Sequence, residues 1–157
     1  LPNTGMVVTT DIGDPGDIHP KNKQDVGKRL ADIVLNKLYQ KKGECTGPRY
    51  QSMKIIGTTV SLSFTHTGSG LQAKDKGSRV NGFEIAGADK KFHLAQAIIS
   101  GNKIMLHADS VLQPVAVRYN WADDASSGNL FNRELYPAAP FRTDNWEGIT
   151  VRNRYNY

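Results

Sequence analysis

From Gly47 onward the apolar residues of this chain fall in short alternating runs, which narrows its possible folds more than any other feature does. Met53/Ile55, Val60/Leu62/Phe64, Phe83/Ile85, Ile98, Ile104/Leu106 and Val115/Val117/Tyr119 alternate with more polar neighbours. Successive side chains of a strand point to opposite faces, so alternation of this kind marks strands with one buried face. Gly57, Gly68-Ser69-Gly70, Gly87-Ala88-Asp89, Gly101-Asn102 and Gln113-Pro114 punctuate the runs, and residues of these types supply tight turns. Short strands at this spacing predict a mostly β fold, an antiparallel β-sandwich over residues 47–157. The tail from Trp121 to Tyr157 is rich in Asn, Pro and Arg and reads as irregular structure packed on something larger.

The first 43 residues have a different character. Met6-Val7-Val8-Thr9-Thr10 is β-branched and apolar, as a buried strand would be. A loop follows, with Gly13, Pro15 and Gly16 among aspartates at 11, 14 and 17. Pro20 stands where a helix can begin, since proline tolerates the first turn. From Asn22 to Tyr39, Val26, Leu30, Ile33, Val34 and Leu38 recur at spacings of three and four, one apolar helical face. Lys28, Arg29, Asp32 and Lys37 mostly face elsewhere. Lys41-Lys42-Gly43 and then Gly47-Pro48 are stop signals. Strand, loop and helix make the closing unit of an α/β domain, and are far too little to bury a core alone.

Composition removes other classes. The chain has 157 residues, 38% hydrophobic and 22% charged, which suits a soluble globular protein. No apolar run approaches the roughly 18 residues of a membrane span, and no signal-peptide succession is visible at the start. The net charge of +5 is scattered in small clusters such as Lys28/Arg29 and Lys90/Lys91. Without a nucleic-acid-binding motif, it reads as solvated surface. The single cysteine, Cys45, makes neither an internal disulfide nor a zinc site. His66, His93 and His107 lack metal-ligand spacing.

Chemistry concentrates in Asp14-Pro15-Gly16-Asp17-Ile18-His19-Pro20. A serine hydrolase needs a base within reach of its serine, and an acceptor that fixes the base's tautomer. A loop between strand and helix is a natural place for that base. His19 sits there. Asp17 is two residues earlier and would lie on the same side if the backbone is extended. On these residues alone, Asp14 and Asp17 serve equally well as loop and capping residues.

The segment Asp17-Ile18-His19-Pro20-Lys21-Asn22-Lys23, followed by Val26-Gly27-Lys28-Arg29-Leu30-Ala31, resembles the C-terminal active-site block of the sialate O-acetylesterases. These are SGNH-type hydrolases with an α/β/α catalytic domain. Later landmarks are similar too, in order: Gly82-Phe83-Glu84-Ile85-Ala86-Gly87, Pro114-Val115-Ala116-Val117-Arg118-Tyr119-Asn120-Trp121, Asn129-Leu130-Phe131-Asn132 and Pro137-Ala138-Ala139-Pro140-Phe141-Arg142-Thr143-Asp144. The resemblance implies that His19 is the catalytic histidine. The family's aspartate stands three residues before the histidine, where this chain has Gly16. Asp17 is therefore the first candidate for the orienting acid, with Asp14, Asp11 or a backbone carbonyl as alternatives. The family's serine block is not found here. Ser100-Gly101-Asn102 follows the histidine and reads as a hairpin turn.

The resemblance thus implies the C-terminal part of a longer carbohydrate O-acetylesterase, inactive by itself. Residues 1–43 would end the catalytic domain and 47–157 would form a separate β domain. The chemistry needs no metal or organic cofactor. Its partners would be an acetylated sugar or sialoglycan substrate and the remainder of the catalytic domain, with neither nucleic acid nor a membrane span. The resemblance favours a secreted or periplasmic compartment. The rival reading is a non-catalytic carbohydrate-binding or structural β module. Trp121, Tyr119 and Trp146 would be its stacking platform, and Arg118 and Arg142 its carboxylate clamp.

Overall fold

The computed structural model describes residues 2–19 and 21–148. Pro20, expected in the first helical turn, and the tail beyond residue 148 lie outside the described residues.

Among the described residues one helix, α1 (Lys23–Lys37), precedes eleven short strands. Asn22 caps it: its side-chain oxygen accepts from the Asp25 N–H at 3.1 Å, and its amide donates to the Asp25 carboxylate at 2.8 Å. A side-chain acceptor at this position satisfies one of the helix's orphan N–H groups. The strands are β1 (Arg49–Ile56), β2 (Thr59–Thr65), β3 (Leu71–Ala73), β4 (Arg79–Val80), β5 (Phe83–Ala86), β6 (Phe92–Leu94), β7 (Gln96–Ser100), β8 (Lys103–His107), β9 (Ala116–Tyr119), β10 (Leu130–Asn132) and β11 (Phe141–Arg142). They form a five-stranded sheet in the order β1-β2-β8-β7-β4, a four-stranded sheet β11-β9-β5-β6 and the small ladder β10-β3. Every pairing is antiparallel.

The hairpins close as expected. Gly57 and Gly101 both adopt positive φ, at 62° and 60°, at the β1–β2 and β7–β8 turns. Ser100-Gly101-Asn102 is thus a hairpin turn, as expected. Val60, Leu62, Ile104 and Leu106 from the larger sheet meet Phe83, Ile85, Val117 and Tyr119 from the four-stranded sheet in one core. The expected sandwich-like β domain is present. Phe141 stacks on Tyr50 at 4.8 Å, and Phe83 lies 4.7 Å from Tyr119. The buried Tyr119 hydroxyl accepts from the Leu130 N–H at 3.0 Å, and burial pushes its pKa up to about 12.

Several expectations are corrected. Ile98 is 49% exposed, while Ala97 and Ile99 pack inward. Strand β7 carries apolar residues on both faces, and only its register decides which is buried. Ile55 stays half exposed because β1 is a sheet edge, and exposed Val115 precedes its strand. The tail after Trp121 is less irregular than expected, since it contributes β10, β11 and the buried Leu130, Phe131, Tyr136 and Ala138. Met6–Thr10 pairs with no strand among the described residues and runs as irregular chain. A strand exists only beside a partner that takes up its N–H and C=O groups.

Helix α1 buries Ile33, against which Gly5 packs directly. Val26 is half-buried, and the rest of the helix's apolar face is open: Leu30, Val34 and Leu38 are 44–52% exposed. Arg29, read from sequence as facing outward, is buried instead, for a reason given below. No helix among the described residues is long and apolar enough to cross a membrane.

Candidate functional site

The loop that carries His19 is wired by its own aspartates. Ile12 N–H donates to the Thr9 carbonyl at 3.1 Å, and Asp17 N–H to the Asp14 carbonyl at 3.1 Å. The Asp14 carboxylate accepts from Gly16 N–H at 2.9 Å, and the Asp17 carboxylate from His19 N–H at 2.8 Å. Aspartate readily closes such turns with its own backbone two residues on. The backbone therefore turns between Asp14 and Asp17, and the extended geometry assumed for Asp17 and His19 is absent. Asp17 reaches the main chain of His19 rather than its ring. Among the described residues, no hydrogen bond joins the imidazole to Asp11, Asp14 or Asp17. His19 itself is exposed at the loop tip, beside Ile18, which is 91% exposed.

Asp11 is committed elsewhere. Its two oxygens accept from Arg29 Nη1 and Nη2, both at 2.7 Å, and Nη1 also donates to the Val8 carbonyl at 2.6 Å. The fork of a guanidinium matches a carboxylate, so the pair forms two parallel charge-assisted bonds. These bonds raise the Arg29 pKa further above its usual value. They also explain the inward turn of Arg29, since a buried charge needs a partner of this quality.

Helix and β domain meet through Tyr136. Its hydroxyl donates to Asp32 at 2.8 Å, Lys28 bonds the same carboxylate at 2.6 Å, and the Lys28 ammonium lies 5.3 Å from the Tyr136 ring centre. Lys28 first, and Tyr136 after it, hold Asp32 below the usual carboxylate range. Deeper in, the fully buried Asn132 donates to the carbonyls of Thr46 at 3.0 Å and His66 at 3.2 Å. It also accepts from Tyr136 N–H at 2.9 Å. A cleft of about 690 Å³ opens at the base of the loop, with Asp11, Ile12, Asn22, Lys28, Glu134 and Tyr136 among its lining. This junction went unseen in the sequence. Only Lys28–Asp32 had a local signal, the i,i+4 spacing of a helical ion pair.

Most of the other candidates are engaged in contacts within the β domain. Arg118 pairs with the buried Asp144 through two bonds of 2.9 and 3.0 Å, and lies 4.0 Å over the Phe92 ring. Arg142 donates to the Trp146 carbonyl and sits 5.3 Å over Trp121. Tyr119 belongs to the core, and Trp146 leans on Phe92 at 5.6 Å. Trp121 alone of the three aromatics is largely open, at 46% exposure. His66 faces Glu44 at 3.1 Å, and His107 lies 3.8 Å from Asp109. No group of three or more metal-ligating side chains gathers among the described residues. Burial pushes the Cys45 thiol up, away from the reactive thiolate.

Comparison with known proteins gives one informative result. No protein-family model matches the chain, and no curated protein does. Among solved structures, a carbohydrate acetylesterase from Xanthomonas citri superimposes with a TM-score of 0.82 at 44% sequence identity. The chain is related to a carbohydrate esterase. The match covers 87% of this chain, which spans only 31% of that enzyme's length.

Proposed function

We propose that this chain is the C-terminal part of a carbohydrate O-acetylesterase, with His19 as the base of a serine–histidine mechanism. The observation that carries the reading is the 44% identity to a carbohydrate acetylesterase over 87% of the chain. The exposed histidine, on the loop that precedes α1, supports it. So does the open apolar face of Leu30, Val34 and Leu38, a surface of the kind the remainder of an α/β/α domain covers. On this reading residues 1–43 close an SGNH-type catalytic domain, and 47–157 form the β domain that follows it.

The chemistry requires a serine supplied by the remainder of the protein. His19 takes the hydroxyl proton as the serine oxygen attacks the acetyl carbonyl. It then delivers that proton to the departing sugar oxygen, leaving an acetyl-serine. A water, deprotonated by His19, attacks the acetyl carbon. Acetate leaves and the proton returns to the serine. Asp17 remains the first candidate for orienting the ring, through a rearrangement of the loop when the domain is complete, with Asp14 the nearest alternative. O-acetylated sialic acid is the preferred substrate class, followed by other acetylated glycans.

The test is turnover of acetylated sialic acid and acetylated xylan, by this chain and by the full-length protein. Acetate release by the full-length protein alone is expected. Release by this chain alone would refute the missing-nucleophile reading. The rival binding-module reading keeps only Trp121 as an open aromatic. It gains if a fragment beginning near Gly47 binds glycan and loses it on Trp121→Ala.

A further inference from the structure

We infer that the Arg29–Asp11 ion pair is the positioning element of the His19 loop, a claim that rests on the reading of His19 as the base. The hydrogen bonds within the loop link residues two or three apart, Thr9 to Ile12, Asp14 to Gly16 and Asp17, and Asp17 to His19. They shape the loop but do not locate it against the rest of the protein. Among the described residues, every longer-range hydrogen bond to residues 6–19 comes from Arg29. It grips Val8 and Asp11, at the upstream end of the loop. Arg29 itself stands on α1, whose N-cap Asn22 is the loop's downstream end. One guanidinium therefore ties Val8 and Asp11 to the helix that follows the loop. The pair is nearly closed to water, with the Arg29 and Asp11 side chains 9% and 6% exposed. A bidentate pair in such surroundings defines orientation as well as distance.

Geometry of this kind governs rate more than affinity. Displacing a reacting group by about 1 Å can cost on the order of 100-fold in turnover. Lysine keeps the charge of arginine but offers a point donor in place of the planar fork. Arg29→Lys is thus the informative substitution, and Asp11→Asn its partner. In the full-length protein each should lower kcat for an acetyl ester by about 10- to 100-fold, with KM changed less than about twofold. The double variant should be no worse than the worse single one, since both remove one interaction.

Amide hydrogen exchange supplies a readout independent of catalysis. In both variants, exchange of the Asp17 and His19 amides should rise while that of the sandwich strands stays unchanged. Turnover within twofold of wild type in both variants overturns the inference. So does a loss accompanied by faster exchange throughout the sandwich, because that marks a general structural role. If His19→Ala leaves activity intact, the reading of His19 as base falls. Unchanged loop exchange in Arg29→Lys would then overturn the ion pair's role separately.

Discussion

Asn132→Leu should be among the most damaging substitutions in the protein, although it keeps the side chain's approximate volume. Asn132 is fully buried and spends both amide hydrogens on the Thr46 and His66 carbonyls, and its oxygen on the Tyr136 N–H. Leucine would strip a partner from one buried backbone group, the Tyr136 N–H, and from the part-buried carbonyls of Thr46 and His66. The buried N–H costs about 1–3 kcal/mol and each part-buried carbonyl about 1–1.5 kcal/mol, so the sum is roughly 3–6 kcal/mol, a large share of the ~5–15 kcal/mol that stabilises a typical domain. Urea unfolding followed by tryptophan fluorescence reads this directly, because Trp121 and Trp146 both lie in the β domain. With a slope of about 2 kcal/mol per molar urea, the midpoint should fall by about 1.5–3 M. Asn132→Asp is the companion variant. It keeps the acceptor for Tyr136 but sets an oxygen against two carbonyl oxygens, so at neutral pH it should be no milder than leucine. A loss below about 1 kcal/mol in either variant would refute the reasoning.

Two further outcomes follow from the same geometry. Gly47→Ala would drive a Cβ into the Pro137 carbonyl, backbone that cannot swing aside; a loss of about 1–3 kcal/mol is expected from thermal or urea unfolding, and none would contradict it. The Asp144 carboxyl is held below the usual range, chiefly by Arg118, so its stabilisation is present above about pH 4 and fades as pH falls through its depressed folded value. Arg118→Ala should therefore cost about 1–3 kcal/mol at pH 7, since Arg142 still stands 3.7 Å from the carboxylate, and progressively less below pH 4, whereas a gap independent of pH would refute the pairing.

What could be read from the sequence was what local periodicity encodes. Val60, Leu62 and Phe64 alternate cleanly and are buried, and the turns at Gly57 and Gly101 stand where their residues placed them. The helix was legible from its apolar spacing; its cap Asn22 and its end at Lys37, short of Tyr39, were not. Ile98 was misread because Ala97-Ile98-Ile99 offers an apolar residue to either face, and only the pairing with β8 decides. Met6–Thr10 has strand composition, but composition does not provide a partner. Arg29 was misplaced because its mate, Asp11, lies 18 residues away and no helical rule joins them. Asn132 and Tyr136 reach Thr46, His66 and Asp32 over still longer separations. His19 was visible as a candidate through the resemblance of its whole block; the loop's own residues suggest aspartate turns as readily as a catalytic base.

The most direct test of the central claim is chemical rescue of His19→Ala in the full-length protein, with 4-nitrophenyl acetate as substrate. Loss of a general base should lower turnover by about 100- to 10,000-fold. Added imidazole should restore part of it, with wild-type turnover unaffected by the same additive. Undiminished activity of His19→Ala would contradict the account.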